Sequence, residues 1–159
     1  MSEQEKLSII VFSGELDKAL ATMNIATGAA ASGMEVTLFF TFWGVSMLKK
    51  KGPKKGASTI LGKMFDKMLP GGPDKLPLSN LNMGGMGSKM MRKQMKSKKV
   101  QSLPEFLELA QELDIKMVAC TMSMDVMEIP KEDLIDGIEY GGVAAFLNEA
   151  SESKFSLFI

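Results

Sequence analysis

Histidine is absent from this sequence, and cysteine, tryptophan and tyrosine occur once each. Without histidine there is no imidazole acid/base catalysis, no Cys–His nucleophile pair and no His-ligated zinc or haem. The lone thiol, Cys120, excludes an intrachain disulfide, a CxxC motif and a zinc site built on cysteines of one chain. No apolar run reaches the ~18 residues that a membrane-spanning helix needs. The longest candidate, Val36 to Leu48, is shorter and ends in Lys49-Lys50-Lys51. The first residues, Met1 to Lys6, are polar and acidic, unlike a signal peptide. A reducing cytoplasm is the expected compartment.

Net charge is missing too: 19 basic residues balance 19 acidic ones. That zero hides a division. Residues 49–100 hold 14 Lys and Arg against only Asp66 and Asp74, a net +12, while the rest hold 5 basic and 17 acidic residues, a net −12. At 159 residues and 45% hydrophobic, the chain suits one ordered domain, 1–159, with 49–100 as a basic insert.

What is present outside the insert alternates between two periods. Leu7 to Phe12 and Met34 to Phe40 are short apolar runs of the kind buried on both faces of a parallel sheet. Between them, Leu16, Leu20, Met23 and Ala30 recur at helical spacing, and Gly33 stands where a helix C-terminus wants a left-handed residue. Strand, helix, strand within about 35 residues is a βαβ unit. Thr41 to Gly44 reads as the following loop, and Val45 to Leu48 as a helical turn. After the insert, Ser102-Leu103-Pro104-Glu105 carries the pattern of a capping box. Ile115 to Ala119 is a third strand leading into Cys120. Lys131 to Leu134 is a helical turn, Ile138 to Tyr140 a fourth strand, Gly142 to Ala150 a helix, and Phe155 to Ile159 a fifth strand. These elements predict an α/β fold, three layers deep (α/β/α), on a five-stranded, mainly parallel sheet.

The insert has a different chemistry. It holds four of the six prolines and eight of the fifteen glycines. A short helix is predicted over 61–69, broken by Pro70-Gly71-Gly72-Pro73, and a second helix from Met86 to Lys99. Met83, Met86, Met90, Met91 and Met95 spread over about half of that helical surface, and Lys89, Arg92, Lys93, Lys96 and Lys99 over the other half, with Lys98 intruding on the methionine side. Such a Met-faced basic helix suits docking to a partner or to an anionic membrane surface. Thioethers also suit Cu(I), but gap-filling and adaptable contact explain the methionines better. The Gly56–Met64 stretch fails as a P-loop, having five residues between its glycines and Met64 where Ser or Thr would hold magnesium. Gly84-Gly85-Met86-Gly87 follows no strand and is not a dinucleotide fingerprint. No metal and no cofactor is expected.

Cys120 is the leading site residue because it ends a predicted parallel strand, where open α/β sheets bind ligands. If Thr121 to Met127 forms a helical turn, backbone N–H groups there favour the thiolate. On position alone, a reactive thiol and a small buried hydrophobe are equally good readings. Pocket candidates come from the other strand ends: Ser13 and Gly14; Thr41, Phe42, Trp43 and Gly44; Thr121, Met122 and Asp125; Gly141 and Gly142. An ionised Asp125 would oppose the thiolate, so its carboxylate is expected to point away. Gly14 and Gly141 taken singly read as turn residues, and Trp43 as a packing residue.

Ala119-Cys120-Thr121-Met122-Ser123-Met124-Asp125-Val126-Met127 resembles the cysteine motif of the DsrE/DsrF-like sulfur-relay family, in its DsrE branch, often labelled peroxiredoxin-like. Phe39 to Gly44, Asn82 to Gly87, Glu132 to Gly137 and Gly141 to Ala144 resemble the same branch, so the likeness covers nearly the whole chain. Glu128 stands where a relative would carry glycine. The resemblance implies a three-layer α/β fold, a homo-oligomer, and a cysteine, matched by Cys120, that carries sulfane sulfur as a persulfide. The implied partners are sulfur donors and acceptors such as rhodanese or TusA-like proteins. The expected function is that of a sulfur carrier or sulfurtransferase. The alternatives are a thiol peroxidase or a non-catalytic docking module; peripheral membrane contact through 49–100 is a further expectation, and nucleic acid is disfavoured.

Overall fold

A computed structural model describes residues 3–159; Met1 and Ser2 of the polar N-terminal stretch lie outside the described residues. Five strands form one sheet: β1 (Lys6–Val11), β2 (Glu35–Phe40), β3 (Lys116–Cys120), β4 (Glu139–Gly141) and β5 (Phe155–Phe158). Their order is β4-β3-β2-β1-β5, and every neighbouring pair is parallel. The expectation of a mainly parallel sheet is therefore exceeded.

The helices are α1 (Leu16–Ala31), α2 (Ile60–Met68), α3 (Met86–Ser97), α4 (Leu103–Glu112), α5 (Thr121–Met127) and α6 (Val143–Ser151). From β1 to β4 the chain steps across the sheet in one direction, and α1 and α4 pack together on one face. Leaving β4, the chain travels back over the whole sheet to reach β5 beyond β1. A crossover of constant hand that reverses direction lands on the opposite face. The packing agrees: α6 covers Phe39, Val118 and Cys120 through Phe146, while Leu7, Ile9, Leu38, Met117 and Ala119 belong to the large core with α1 and α4. The two-residue period of β3 thus sends Ala119 to one face and Cys120 to the other.

Local chemistry explains the boundaries. Ser102 Oγ accepts from Glu105 N–H while the Glu105 carboxylate accepts from Ser102 N–H at 2.6 Å, so the expected capping box starts α4. Gly33 ends α1 at φ 91°. One departure follows β2: Phe42 to Leu48 form a single 3₁₀ helix rather than a loop followed by a turn. Its path is dictated by Gly44, whose backbone runs so close to the Val11 carbonyl that a Cβ would overlap the oxygen. Gly44 N–H donates to Phe12 O at 2.9 Å, and Thr41 N–H to Val11 O at 3.0 Å.

The basic insert is folded and clasped to the body at several points. Lys49 is buried, with its ammonium 3.4 Å from Asp66 on α2. Asp133, also buried, accepts from the N–H groups of Lys55 at 2.6 Å and Gly56 at 2.8 Å. Glu128 accepts from Ser58 N–H at 3.2 Å, Thr59 N–H at 3.1 Å and the Thr59 hydroxyl. Asp17 accepts from Ser79 N–H at 2.8 Å. The methionine face divides: Met95 is buried, Met86, Met90 and Met91 are exposed, and Met83 lies outside α3 in a 3₁₀ turn with Gly84 and Gly85, both at positive φ. No helix among the described residues is long and apolar enough to cross a membrane.

Candidate functional site

β3 delivers Cys120 to the carboxyl edge of the sheet, and α5 starts at the next residue. Cys120 therefore occupies the N-cap position of α5. The side chain at an N-cap faces the amide groups two and three residues on, which lack partners inside the helix. Here those amides belong to Met122 and Ser123, although the thiol makes no capping hydrogen bond to them. Burial of the thiol, which is 3% exposed, pushes its pKa up. Against it act the Ser123 hydroxyl and N–H, the Thr41 hydroxyl and the Met122 N–H. The donors win, and Cys120 titrates below the ordinary thiol value of 9.0.

The second strand end supplies the other side. Phe40 pairs in register with Ala119, which sets Thr41 beside Cys120. Thr41 Oγ1 and Ser123 Oγ are 3.0 Å apart, and Ser123 Oγ accepts from Phe42 N–H at 2.9 Å. Because Phe42 N–H occupies an acceptor site of Ser123, the serine proton stays free for sulfur or for Thr41. Phe42 reaches this geometry at φ 45°, a left-handed conformation uncommon outside glycine. Its ring lies 5.9 Å from that of Phe12 and 6.4 Å from that of Trp43, and Phe12 lies 5.5 Å from Phe158, so an aromatic row follows this edge.

The other candidates sort by distance from the sulfur. Gly141 pairs in register with Cys120, and its carbonyl accepts from the Thr121 hydroxyl at 3.5 Å. Gly142 caps α6 and is exposed. Asp125 and Met122 are exposed on α5, Met122 entering the site through its amide. Trp43 is 44% exposed at the rim. Ser13 and Gly14 are engaged elsewhere: Ser13 N–H donates to Ile159 O at 3.2 Å, and a Cβ on Gly14 would meet Trp43 O at 2.9 Å. Gly44 has the packing role already described. The structure therefore gathers Thr41, Phe42, Thr121, Met122 and Gly141 around Cys120 and leaves Ser13, Gly14, Asp125 and Gly142 at the margin. Sequence reasoning missed Ser123, which is fully buried. Its signal was the spacing, since the third residue after an N-cap is the one whose amide meets the cap. Among the described residues no three His, Cys, Asp or Glu side chains gather where a metal ion could be held.

The model of the DsrE/DsrF/DrsH-like family matches residues 3–158. The chain belongs to that family. It is 46% identical over 161 residues to "Sulfur carrier protein DsrE2" of Allochromatium vinosum, covering 99% of both chains. It is 48% identical over 160 residues to "Uncharacterized protein YrkE" of Bacillus subtilis, covering all of both. The crystal structure of the ychN protein from E. coli superposes with a TM-score of 0.57 at 12% identity, covering 98% of this chain and 100% of that one, which shows the shared fold. Family membership supports a sulfur-relay role at family level.

Proposed function

We propose that this chain is a sulfur carrier that moves sulfane sulfur between partner proteins as a persulfide on Cys120. The observation that supports it most is the seat of the one sulfhydryl: Cys120 ends β3 at the start of α5, beside Thr41 and Ser123, surroundings that lower its pKa. The Cys120 thiolate attacks the outer sulfur of a donor persulfide R–S–SH. A Cys120–sulfur bond forms, the donor S–S bond breaks, and R–S⁻ leaves and takes a proton. An acceptor thiolate then attacks the outer sulfur of Cys120–S–SH and regenerates the Cys120 thiolate. No net oxidation occurs and no histidine is needed. A rhodanese or a TusA-like protein suits either partner role. Because Cys120 is nearly covered, a docking partner must shift the groups above it before exchange, which ties transfer to recognition. The chain works as one domain, 1–159, in which segment 49–100 is an insert.

The expected homo-oligomer has a specific surface to use. α6 covers its face of the sheet through Phe146, and Val143 and Leu147 on α6 and Phe158 on β5 are exposed at 62%, 59% and 66%. Phe158 pairs with Ile10, which packs on the Phe146 side, so it belongs to the same face. The insert offers a second surface. Ile60, Leu61, Met64 and Met68 are exposed on α2 beside Lys63 and Lys67, which supports peripheral contact with an anionic membrane.

Mass spectrometry after incubation with a persulfide donor tests the carrier reading. One added sulfur on Cys120, with none in Cys120→Ser, is expected; equal labelling of both proteins refutes it. Hydrogen peroxide consumption that depends on Cys120, without sulfur loading, would favour the thiol peroxidase instead.

A further inference from the structure

A cavity of about 550 Å³ lies between the insert and the main body, and none of the residues around Cys120 lines it. That volume is within the range of small-molecule sites. Its walls come from α3, the first turn of α4, the start of α1 and the segment around Pro73. Leu16, Met95, Val100 and Leu103 provide an aliphatic lining, with no aromatic ring on which a base would stack. Val100 is about half exposed, an apolar side chain left open at this position.

Four cations share the same cavity: Lys51, Arg92, Lys96 and Lys99. Arg92, Met95 and Lys96 lie on one face of α3 by their spacing, and Lys99 follows the helix end. Two carboxylates are present, Asp74 and Glu105, but Glu105 is already engaged with Ser102 N–H at 2.6 Å. Among the described residues none of the four cations forms an ion pair with a carboxylate. Arg92 is half-buried, and among the described residues its one hydrogen-bond partner is the Leu76 carbonyl, 2.7 Å away. Burial pulls its pKa down, and Asp74 offsets this only in part. A desolvated guanidinium short of negative partners, beside three lysines, is an anion-binding arrangement. The aliphatic lining beside it calls for a ligand with an apolar body.

We propose that this cavity binds an amphiphilic anion, an aliphatic chain ending in a carboxylate or phosphate, with the head at Arg92 and Lys96 and the chain against Met95, Val100 and Leu103. The site is independent of the Cys120 chemistry. Its occupancy would tie α3 to α4 and so fix the insert on the body.

The test is titration of the full chain, carrying ¹³C-methyl methionine, with decanoate, decyl phosphate, decanol and inorganic phosphate. Either amphiphilic anion should shift the Met95 methyl resonance saturably at one per chain, and the tighter of the two identifies the head group. Decanol and inorganic phosphate should each bind at least tenfold more weakly. The variants Arg92→Gln and Lys96→Gln/Lys99→Gln should each weaken the anion at least tenfold. The second pair is exposed, so its fold is retained even if Arg92→Gln perturbs packing. No saturable Met95 shift, equal affinity for decanol, or undiminished binding by the lysine variant would overturn the proposal.

Discussion

Ser123→Ala removes one hydroxyl from the centre of the candidate site. Two consequences follow from the geometry. The first is electrostatic: the Ser123 hydroxyl is the leading contribution that lowers the Cys120 pKa. A hydrogen bond to a charged group is worth about 1.5–3 kcal/mol. Its loss should therefore reduce the thiolate population at neutral pH. The second is structural: Phe42 N–H loses its acceptor at 2.9 Å, and Thr41 loses its neighbour at 3.0 Å. An orphaned buried donor costs about 1–3 kcal/mol. The two effects are read separately. Iodoacetamide alkylation followed across pH reports the thiolate, and urea unfolding reports stability. A midpoint of alkylation displaced to higher pH is expected, together with weaker folding. Ser123→Cys is avoided because it would add a second thiol; Ser123→Thr keeps a hydroxyl and should restore part of the low midpoint. A Ser123→Ala protein that alkylates with the wild-type pH profile would refute the argument that this hydroxyl holds the thiolate.

Other perturbations follow from the same geometry. Because the folded Cys120 pKa lies below the ordinary 9.0, the thiolate contributes stability that is fully present above the unfolded value and lost as pH falls through the folded one. The melting temperature of wild type relative to Cys120→Ser should therefore rise between pH 6 and pH 9.5, and a constant difference would contradict it. Gly44→Ala forces a Cβ into the Val11 carbonyl and should destabilise by about 3 kcal/mol or more in urea unfolding. Asp133→Ala strips the acceptor from Lys55 and Gly56 and should lower stability by about 1–3 kcal/mol. Glu128→Gly relieves a left-handed residue at φ 49° yet releases Ser58 and Thr59, so trypsin should cut faster at Lys54 and Lys55.

The strands and α4 were legible in the sequence because their signals are local. An apolar run buried on both faces and a Ser-x-x-Glu cap are each written within a few residues. Cys120 was legible for the same reason, since a strand end followed by a helix start is a local pattern. Strand order was not, because it depends on which elements meet across the whole chain. Ser123 was missed as a site residue because its acceptor role is completed by Phe42 N–H, 81 positions away. The burial of Lys49 against Asp66 had no local signal in the basic run that it begins. Glu128 replaces the glycine that its backbone conformation favours, and the reason appears only in three dimensions, where its carboxylate clasps the insert. Met95 looked like its neighbours on α3, but the body covers that end of the helix and leaves Met86 and Met90 outside.

A single-turnover chase tests the carrier account most directly. Protein loaded with one sulfur on Cys120 is freed of donor and mixed with an acceptor protein bearing one reactive thiol, and intact mass is followed over time. The account predicts that the added sulfur leaves Cys120 as it appears on the acceptor, in equal amounts. Retention of the sulfur on Cys120, or its release as free sulfide with none on the acceptor, would contradict the account.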